Sequence, residues 1–517
     1  MIKILLFICF TIPSFAFATK KDKIIFAVNR IGYGVSSSEQ IRIKKIGLKN
    51  WIEEQVIGTT LEPQWLRAWI GELEITKISL ATLLKEYKQN PSNSEEKRKI
   101  IQAHDEKLIY ETFIRDAARS IYSPNQLRER MTWFWFNHFN VYSQKGDVKK
   151  FLSAYEEETM HKNALGNFRD ILKESLKSPA MSYYLDNFQN TDPNSIANGK
   201  AFKDKIKGIN ENYAREIMEL HTLGQGTGYT QKDVEELARV LTGFSYRKDT
   251  TAVKMQLKFQ KDAVEDGFFF FDPRRHDFGD KIFLGHKIAG SGYQEIEQVL
   301  DILVSDKNTA RTISHKLAVF FVSDHPSEKL IGQMSNTFLK THGNISDVLR
   351  IIFQSREFWR QSGKNNKLKL PHEYIYSIIR LGYDQQQITN FAPLWNQMVN
   401  MGEQPYGHLT PDGYGIKNED WASADQMEKR IVFATSFNNK NTNLFNKDDI
   451  RQKFNEQIGV SEDLGANKTF KVNTISFSGM YNIMEPVLSK NTKMVLEEAP
   501  LREKVGYLLS APEMVNK

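Results

Sequence analysis

Apolar positions recur along most of this chain with the period of an amphipathic helix. Ser37 to Val56 reads as two short helices broken near Gly47, and Ser94 to Tyr122 as a long polar-faced helix stopped by Ser123-Pro124. Another helix runs from Asn125 to about Val141, and Val148 to Leu185 carries two or three more. Asn210 to Leu223 and Thr230 to Leu241 are the most regular pair. In the second, Thr230 is placed to cap the N-terminus with Asp233 as its capping-box partner. Val234, Leu237, Ala238 and Leu241 fall at i, i+3, i+4 and i+7, and Gly243 stands where the helix should end. The helical pattern resumes at Tyr293 and runs to about Trp359.

A period of two appears mainly in one insertion. Val253 to Phe259 alternates, and Gly267 to Phe271 and Lys281 to Leu284 are short aromatic or apolar runs. The expected architecture is therefore mainly α: a large multi-helical globular protein with a small β-hairpin insertion around residues 250–285. A charged linker, Gly363 to Lys369, divides a main helical domain, residues 19–362, from a C-terminal helical region, residues 370–517, packed on it. That region holds a Gly/Pro/aromatic loop, Gly402 to Trp421, and an Asn/Lys-rich stretch, Phe437 to Lys447. No internal repeat is visible. Thirty-three phenylalanines and 40% hydrophobic residues suffice for a large core.

The beginning of the chain adds a location. Met1-Ile2-Lys3 is a short basic start, Ile4 to Ala16 is almost wholly apolar, and Ala16-Phe17-Ala18 is a small-x-small cleavage pattern. The apolar run falls short of the ~20 residues of a spanning helix, and Lys20-Lys21-Asp22-Lys23 follows at once. Residues 1–18 are thus expected to be a cleaved signal peptide, and the mature chain to be periplasmic or secreted with no transmembrane segment. Cys9, the one cysteine of the sequence, leaves with the leader, which removes disulfides, thiolate metal sites and cysteine nucleophiles. The net charge of +7, one of it from Lys3, is a mild bias that suits an anionic envelope surface or polyanion. Nucleic acid is not expected as a partner.

Several chemistries lack their motifs. HExxH, a Walker-type loop, GxGxxG and GxSxG are absent, and Glu158-x-x-His161 is a lone ExxH without the second copy a di-iron bundle needs. The glycine-rich run Gly224 to Thr230 is explained better by a helix C-cap and tight turn than by an anion cradle.

Three polar constellations remain. In Met131 to Phe139, aromatics cover every face, so this helix should be buried all round. His138 shares a face with Met131, Phe134, Trp135 and Tyr142, and on its own it reads as a satisfied core histidine rather than a base. On the helix from Asn210, the residues Asn212, Arg215, Glu216 and Glu219 form one stripe at 100° per residue, opposite Tyr213, Ala214, Ile217, Met218 and His221. Glu216 and Glu219 are i, i+3 neighbours, with Cβ atoms roughly 5–6 Å apart. Such a pair can split its pKa values, hold a metal, or divide acid and base roles, and an ordinary solvated face is the competing explanation. Third, His276-Asp277-Phe278-Gly279-Asp280-Lys281 offers a base, a carboxylate and a cation on one loop.

These segments also carry a resemblance. Arg30-x-Gly32-x-Gly34, Phe134-Trp135-x-Asn137-His138-Phe139, Ala164 to Asp170, Tyr184-Leu185-Asp186-Asn187 and Asn210 to Gly224 are the first matches. Gly228-Tyr229-Thr230-Gln231, Leu241-Thr242-Gly243-Phe244, His276-Asp277-x-Gly279-x-Lys281, Ala310-Arg311, Lys316-Leu317 and the Gly402 to Gly415 loop complete the set. Together they resemble the bacterial family designated domain of unknown function 1800. The resemblance implies a large, mainly helical exported protein, often encoded beside a second exported family similar to sulfatases, which would be a candidate partner. One position departs: the family tends to have His-Asn-His before the phenylalanine, and here it is Phe136-Asn137-His138.

With that resemblance, the stripe on the Asn210 helix is expected to face an internal pocket. The expected function is an envelope hydrolase acting on a saccharide or anionic polymer. Glu216 and Glu219 would be the acid/base or metal-binding pair, with His138 and His276 assisting. Asp186 and Asp277 would orient the imidazoles, and Arg215, Lys281, Asn212 and Asn137 would bind substrate. No cofactor is specified, though a divalent metal is compatible with the carboxylates. The alternative is a non-catalytic envelope scaffold or binding protein partnering the sulfatase-like protein.

Overall fold

Caps and breakers put the helix ends where the apolar stripes predict them. The computed structural model describes residues 20–89, 94–195, 208–247, 255–364, 366–437, 443–459 and 476–517, and holds 28 helices among them. Ser36 caps Ser37–Ile46, and Gly47 separates it from Leu48–Ile57. Ser94 caps Glu95–Tyr122, which ends at Ser123 because the residue before a proline is pushed out of the helical region. The capping box of Thr230 and Asp233 closes reciprocally at the head of Gln231–Val240. The leader with Cys9, residues Val253 and Lys254, and 438–442 of the Asn/Lys-rich stretch lie outside the described residues. Among the described residues no helix is long and apolar enough to cross a membrane.

The β element is small. Strands β1 (Phe244–Tyr246), β2 (Val264–Asp266) and β3 (Phe269–Phe271) form an antiparallel sheet in the order β1-β3-β2, with Phe271 opposite both Phe244 and Val264. Strands β4 (Lys281–Phe283) and β5 (His286–Ile288) make a separate hairpin. The alternating stretch Val253 to Phe259 is not a strand in its described residues. Its described part turns into the short helix Leu257–Gln260. Alternation stabilises a strand only when one face is buried, and Leu257 is 84% exposed.

A second difference concerns Glu95–Tyr122. It is not polar-faced over its length: from Leu108 to Ala118 nearly every residue is buried, charged ones included. The helix is packed by Val148–Ala154, Pro371–Tyr383 and Asp449–Ile458. Its charges survive burial by pairing inside the protein, Lys107 with Glu74 at 2.8 Å and Arg115 with Glu156. Hydropathy treats charge as a mark of solvent, so it cannot see such pairs.

One buried apolar cluster runs from Ile25 to Val515, so residues 370–517 share the core of the preceding helices. Its polar knot is Glu373, to which Arg130 and Lys517 both donate. The Gln126–His138 helix, buried along almost its whole length, lies beside this knot and positions the candidate site.

Candidate functional site

The polar stripe forms as the periodicity predicts. Asn212–Glu216 is α-helical and Ile217–His221 widens into a π-turn. Asn212 is exposed, Arg215, Glu216 and Glu219 are half-buried, and Tyr213, Ala214, Ile217, Met218 and His221 are buried. Along the stripe the carboxylates are engaged unequally. Glu211 and Glu219 flank the Arg215 guanidinium at 3.3 and 3.7 Å, and Gln231 joins them by bonding both Arg215 and Glu211. Glu216 makes no hydrogen bond or ion pair among the described residues. Burial, then the neighbouring Glu219 and Asp412, push its carboxyl up against the lowering effect of Arg215. Burial and the Glu219 carboxylate push the Tyr229 hydroxyl up to about 12.

Asp412 arrives from the Gly/Pro/aromatic loop, and the aromatic helix holds that loop in place. Asn137 reads Tyr414 through both backbone groups, donating from Nδ2 to its carbonyl at 2.8 Å and accepting its N–H at 2.7 Å. Asn140 donates to the carbonyls of His408 and Thr410, and the Tyr184 hydroxyl donates to that of Leu409. Gly413 lies at φ 73°, and a Cβ there would meet the Asn137 carbonyl oxygen at 2.2 Å, so the close approach requires glycine. Asn137 is thus a loop anchor rather than a ligand-facing amide.

Behind this loop lies Lys316, on the helix Lys307–Phe321. Its ammonium donates to the Leu220 carbonyl and to His138 Nδ1, each at 3.1 Å. Burial lowers its pKa to about 8, and Asp412 opposes the shift. The other His138 nitrogen, Nε2, donates to the His221 carbonyl at 3.1 Å, which fixes the neutral tautomer. Burial, Lys316 and His221 hold His138 well below the usual histidine range. His138 therefore sets the position of Lys316, with both nitrogens committed.

The His276 loop is a separate, buried structure. His276 Nε2 meets Glu295 Oε1 at 3.0 Å, its Nδ1 faces the Thr242 carbonyl at 2.8 Å, and Lys281 reaches Glu295 Oε2 at 2.6 Å. Both side chains of the Lys281–Glu295 pair, and that of His276, are fully buried. Asp277 does not orient His276: it takes Arg239 on both oxygens and the Gly279 N–H. Nor does Asp186 orient His138, since it pairs with Lys145 at 2.9 Å on a left-handed backbone at φ 59°. The Asn212 amide points at the Leu185 carbonyl, 3.5 Å away. The structure therefore brings together Arg215, Glu216 and Glu219 and leaves His276, Asp277 and Lys281 in the packing behind the hairpin.

Sequence reasoning missed Asp412 and Lys316. A lysine beside Leu317, near the apolar Ile313 and Phe320 of one helix, was the available signal for the second. Asp412 gave none, because only the fold carries its loop to the stripe. Among the described residues no group of three or more His, Cys, Asp and Glu side chains converges as a metal site. Fold and site together define a mainly helical protein with a half-buried carboxylate cluster beside a desolvated lysine. The profile of the family described as "Protein of unknown function (DUF1800)" matches residues 26–515, and the chain belongs to that family. Neither a curated protein nor a solved structure matches it.

Proposed function

We propose that the protein is an exported hydrolase of the cell envelope that acts on a saccharide or anionic polymer at the Glu216 cluster. The observation that carries this reading is Glu216 itself. It is half-buried, without a partner among the described residues, and raised by burial and by Glu219 and Asp412, which suits a general acid. Glu219, tied to Arg215, is the complementary carboxylate, placed to act as base. Arg215 and the Lys316 amine supply positive charge for an anionic substrate group. A leaving oxygen protonated by Glu216 while Glu219 activates water gives hydrolysis with the proton balance closed.

A second reading has its own support. Asn212 at the head of the stripe is exposed and Arg215, Glu216 and Glu219 are only half-buried, so the stripe meets solvent. That favours a non-catalytic binding protein, partnered with a co-encoded sulfatase-like protein. Purified protein incubated with envelope polysaccharide, with release of reducing ends as the readout, separates the two. The hydrolase reading expects release by wild type, its loss in Glu216→Gln, and an unchanged melting temperature. Binding of the polymer without release by wild type would transfer the case to the scaffold. A Glu216→Gln protein that unfolds would mark the glutamate as structural.

A further inference from the structure

A π-turn also occurs earlier in the chain, where Val148–Ala154 runs on into Tyr155–His161. Such turns recur at functional sites, because one extra residue per turn re-aims the side chains that follow. Beside this one lies a cavity of about 500 Å³, the size of a small-molecule site. Its other walls come from the Leu80–Gln89 and Glu95–Tyr122 helices, the head of Pro179–Tyr184 and the turn between β2 and β3. Leu83, Leu108 and Phe151 are buried on its apolar side, and Phe268 is half-buried at its edge. Neither Glu216 nor Glu219 lines it.

Four cations and four carboxylates line the cavity, so its formal charge cancels. The cations are committed. Lys149 meets Asp105 at 3.0 Å, Lys150 meets Asp147 at 2.7 Å, Lys177 pairs with Asp266, and Arg115 bonds Glu156 and the Ser153 carbonyl. Two of the acids are held loosely. Glu174 has Lys177 at 3.5 Å, and the Glu158 carboxylate, exposed at the rim, makes no ion pair or hydrogen bond among the described residues. Hydroxyl donors are unspent as well. Thr159 is 6% exposed, and its hydroxyl has no hydrogen bond among the described residues. The buried Ser178 hydroxyl accepts from the Ala180 N–H and that of Ser153 from Arg115, and neither gives its own proton to a described group. Each hydroxyl can both donate and accept, so a donor without a partner in so buried a setting is costly unless something fills the space it meets.

We propose that this cavity binds a short neutral saccharide, its hydroxyls accepting from Thr159 and Ser178 and donating to Glu158 and Glu174, with one ring face on Phe268. A sugar hydroxyl is donor and acceptor at once, so one ligand uses both kinds of unspent group. An anionic ligand would find every cation of the wall already paired. A cationic one would use the carboxylates and leave the hydroxyl donors idle, and an apolar one would leave both idle. The apolar side with a few fixed polar groups is the usual make-up of a small-molecule site. The inference concerns recognition only and does not rest on the hydrolytic reading or on Glu216.

Isothermal titration of the purified protein tests it, with cellotriose and chitotriose as neutral probes. The β-1,4-linked glucuronate trimer and triglucosamine are their anionic and cationic counterparts of the same linkage. At least one neutral trisaccharide should bind, at least about fivefold more tightly than its charged counterpart, the worth of one hydrogen bond. Thr159→Val keeps the shape of the wall and removes only the hydroxyl. It should weaken that sugar about fivefold without lowering the melting temperature. Glu158→Gln, at the exposed rim, should weaken it severalfold and serves if Thr159→Val does not fold. Binding of none of the four probes, or equal or tighter binding of the charged ones, overturns the proposal. So does unchanged affinity in both folded variants, since the sugar would then sit elsewhere. Loss of binding in Glu216→Gln with none in Thr159→Val would assign the sugar to the Glu216 cluster, and would overturn this inference while leaving the hydrolytic reading in place.

Discussion

The substitution Glu373→Gln tests whether the buried ionic knot holds the two ends of the core together. Glu373 is 1% exposed and accepts from Arg130, Lys517 and the Leu370 N–H, the last at 2.9 Å. Glutamine keeps the volume and one acceptor but deletes the charge. Arg130 and Lys517 then remain buried without a counter-ion, which typically costs about 3–5 kcal/mol. The structure places this case near the lower bound. Arg130 still donates to the Gly32 carbonyl at 2.9 Å and lies 4.7 Å over the Phe320 ring. Burial, then Arg130, lowers the Lys517 amine well below the usual lysine range, so it can shed its proton instead of staying charged. The expected loss is therefore about 3 kcal/mol near neutral pH, a large share of a typical 5–15 kcal/mol. It should shrink as pH rises, because a folded amine with a depressed pKa is stabilised by the departure of its proton. In wild type the Glu373 carboxyl adds a dependence of the same sign at acid pH. Arg130 and Lys517 outweigh burial and hold the Glu373 carboxyl far below its ordinary range. Its contribution is complete above the unfolded carboxyl pKa, near 4.3, and disappears as pH falls below it. Urea unfolding followed by tryptophan fluorescence, at several pH values, reads both effects. A loss under about 1 kcal/mol at pH 7 would refute the argument, since the charges would then be no better paired than on a surface.

Three further outcomes follow from particular contacts. His276→Ala should cost about 1–3 kcal/mol by leaving the Thr242 carbonyl unpaired and Glu295 Oε1 with the Gly292 N–H alone, with activity per folded molecule unchanged. Lost activity at an unaltered melting temperature would return His276 to the site. Lys316→Met should remove a pH dependence of stability. With its folded pKa lowered to about 8, wild type gains stability as pH rises from 8 towards the ordinary lysine value, because the unfolded amine still binds a proton there. Parallel pH profiles of the two proteins would count against the desolvated amine. Gly413→Ala, with its Cβ directed at the Asn137 carbonyl, should displace the 402–421 loop. The measurement is faster proteolytic cleavage within that loop, at a rate wild type does not show.

Legibility in the sequence followed the reach of the interaction concerned. Caps, breakers and apolar stripes act within a few residues, so Gly47, Ser94, Thr230 with Asp233, and the two faces of the Asn212 helix could be read directly. The π-turn at Ile217–His221 did not disturb the stripe, because it begins after Glu216 and displaces only its last turn. Leu257 and Phe259 mimicked a strand because period alone does not say whether a core exists to receive one face. The polar residues divide by the same rule. His276, Asp277 and Lys281 look like a catalytic loop in sequence. Their partners Glu295, Arg239 and Thr242 are remote enough that no pattern links them, and those partners make the loop a packing element.

The same limit explains why the carboxylates that look most like a site are not the most enclosed ones. Glu216 and Glu219 advertise themselves by sitting three apart on one helix. Asp116 and Glu156 sit on different helices, each within an apparently ordinary run, and only packing makes them neighbours. Yet desolvation acts on both pairs through one mechanism: a carboxyl with a like charge beside it and water removed retains its proton to higher pH. What separates them is access. The Glu216 pair meets solvent, a cationic side chain and a loop that glycine lets lie close. The Asp116 pair is packed among aromatic rings out of reach of solvent, where Asp116 bonds Glu156. Phe136 belongs to the second environment. It stands edge to face with Tyr406, so a change at Phe136 leaves the chemistry proposed at Glu216 untouched.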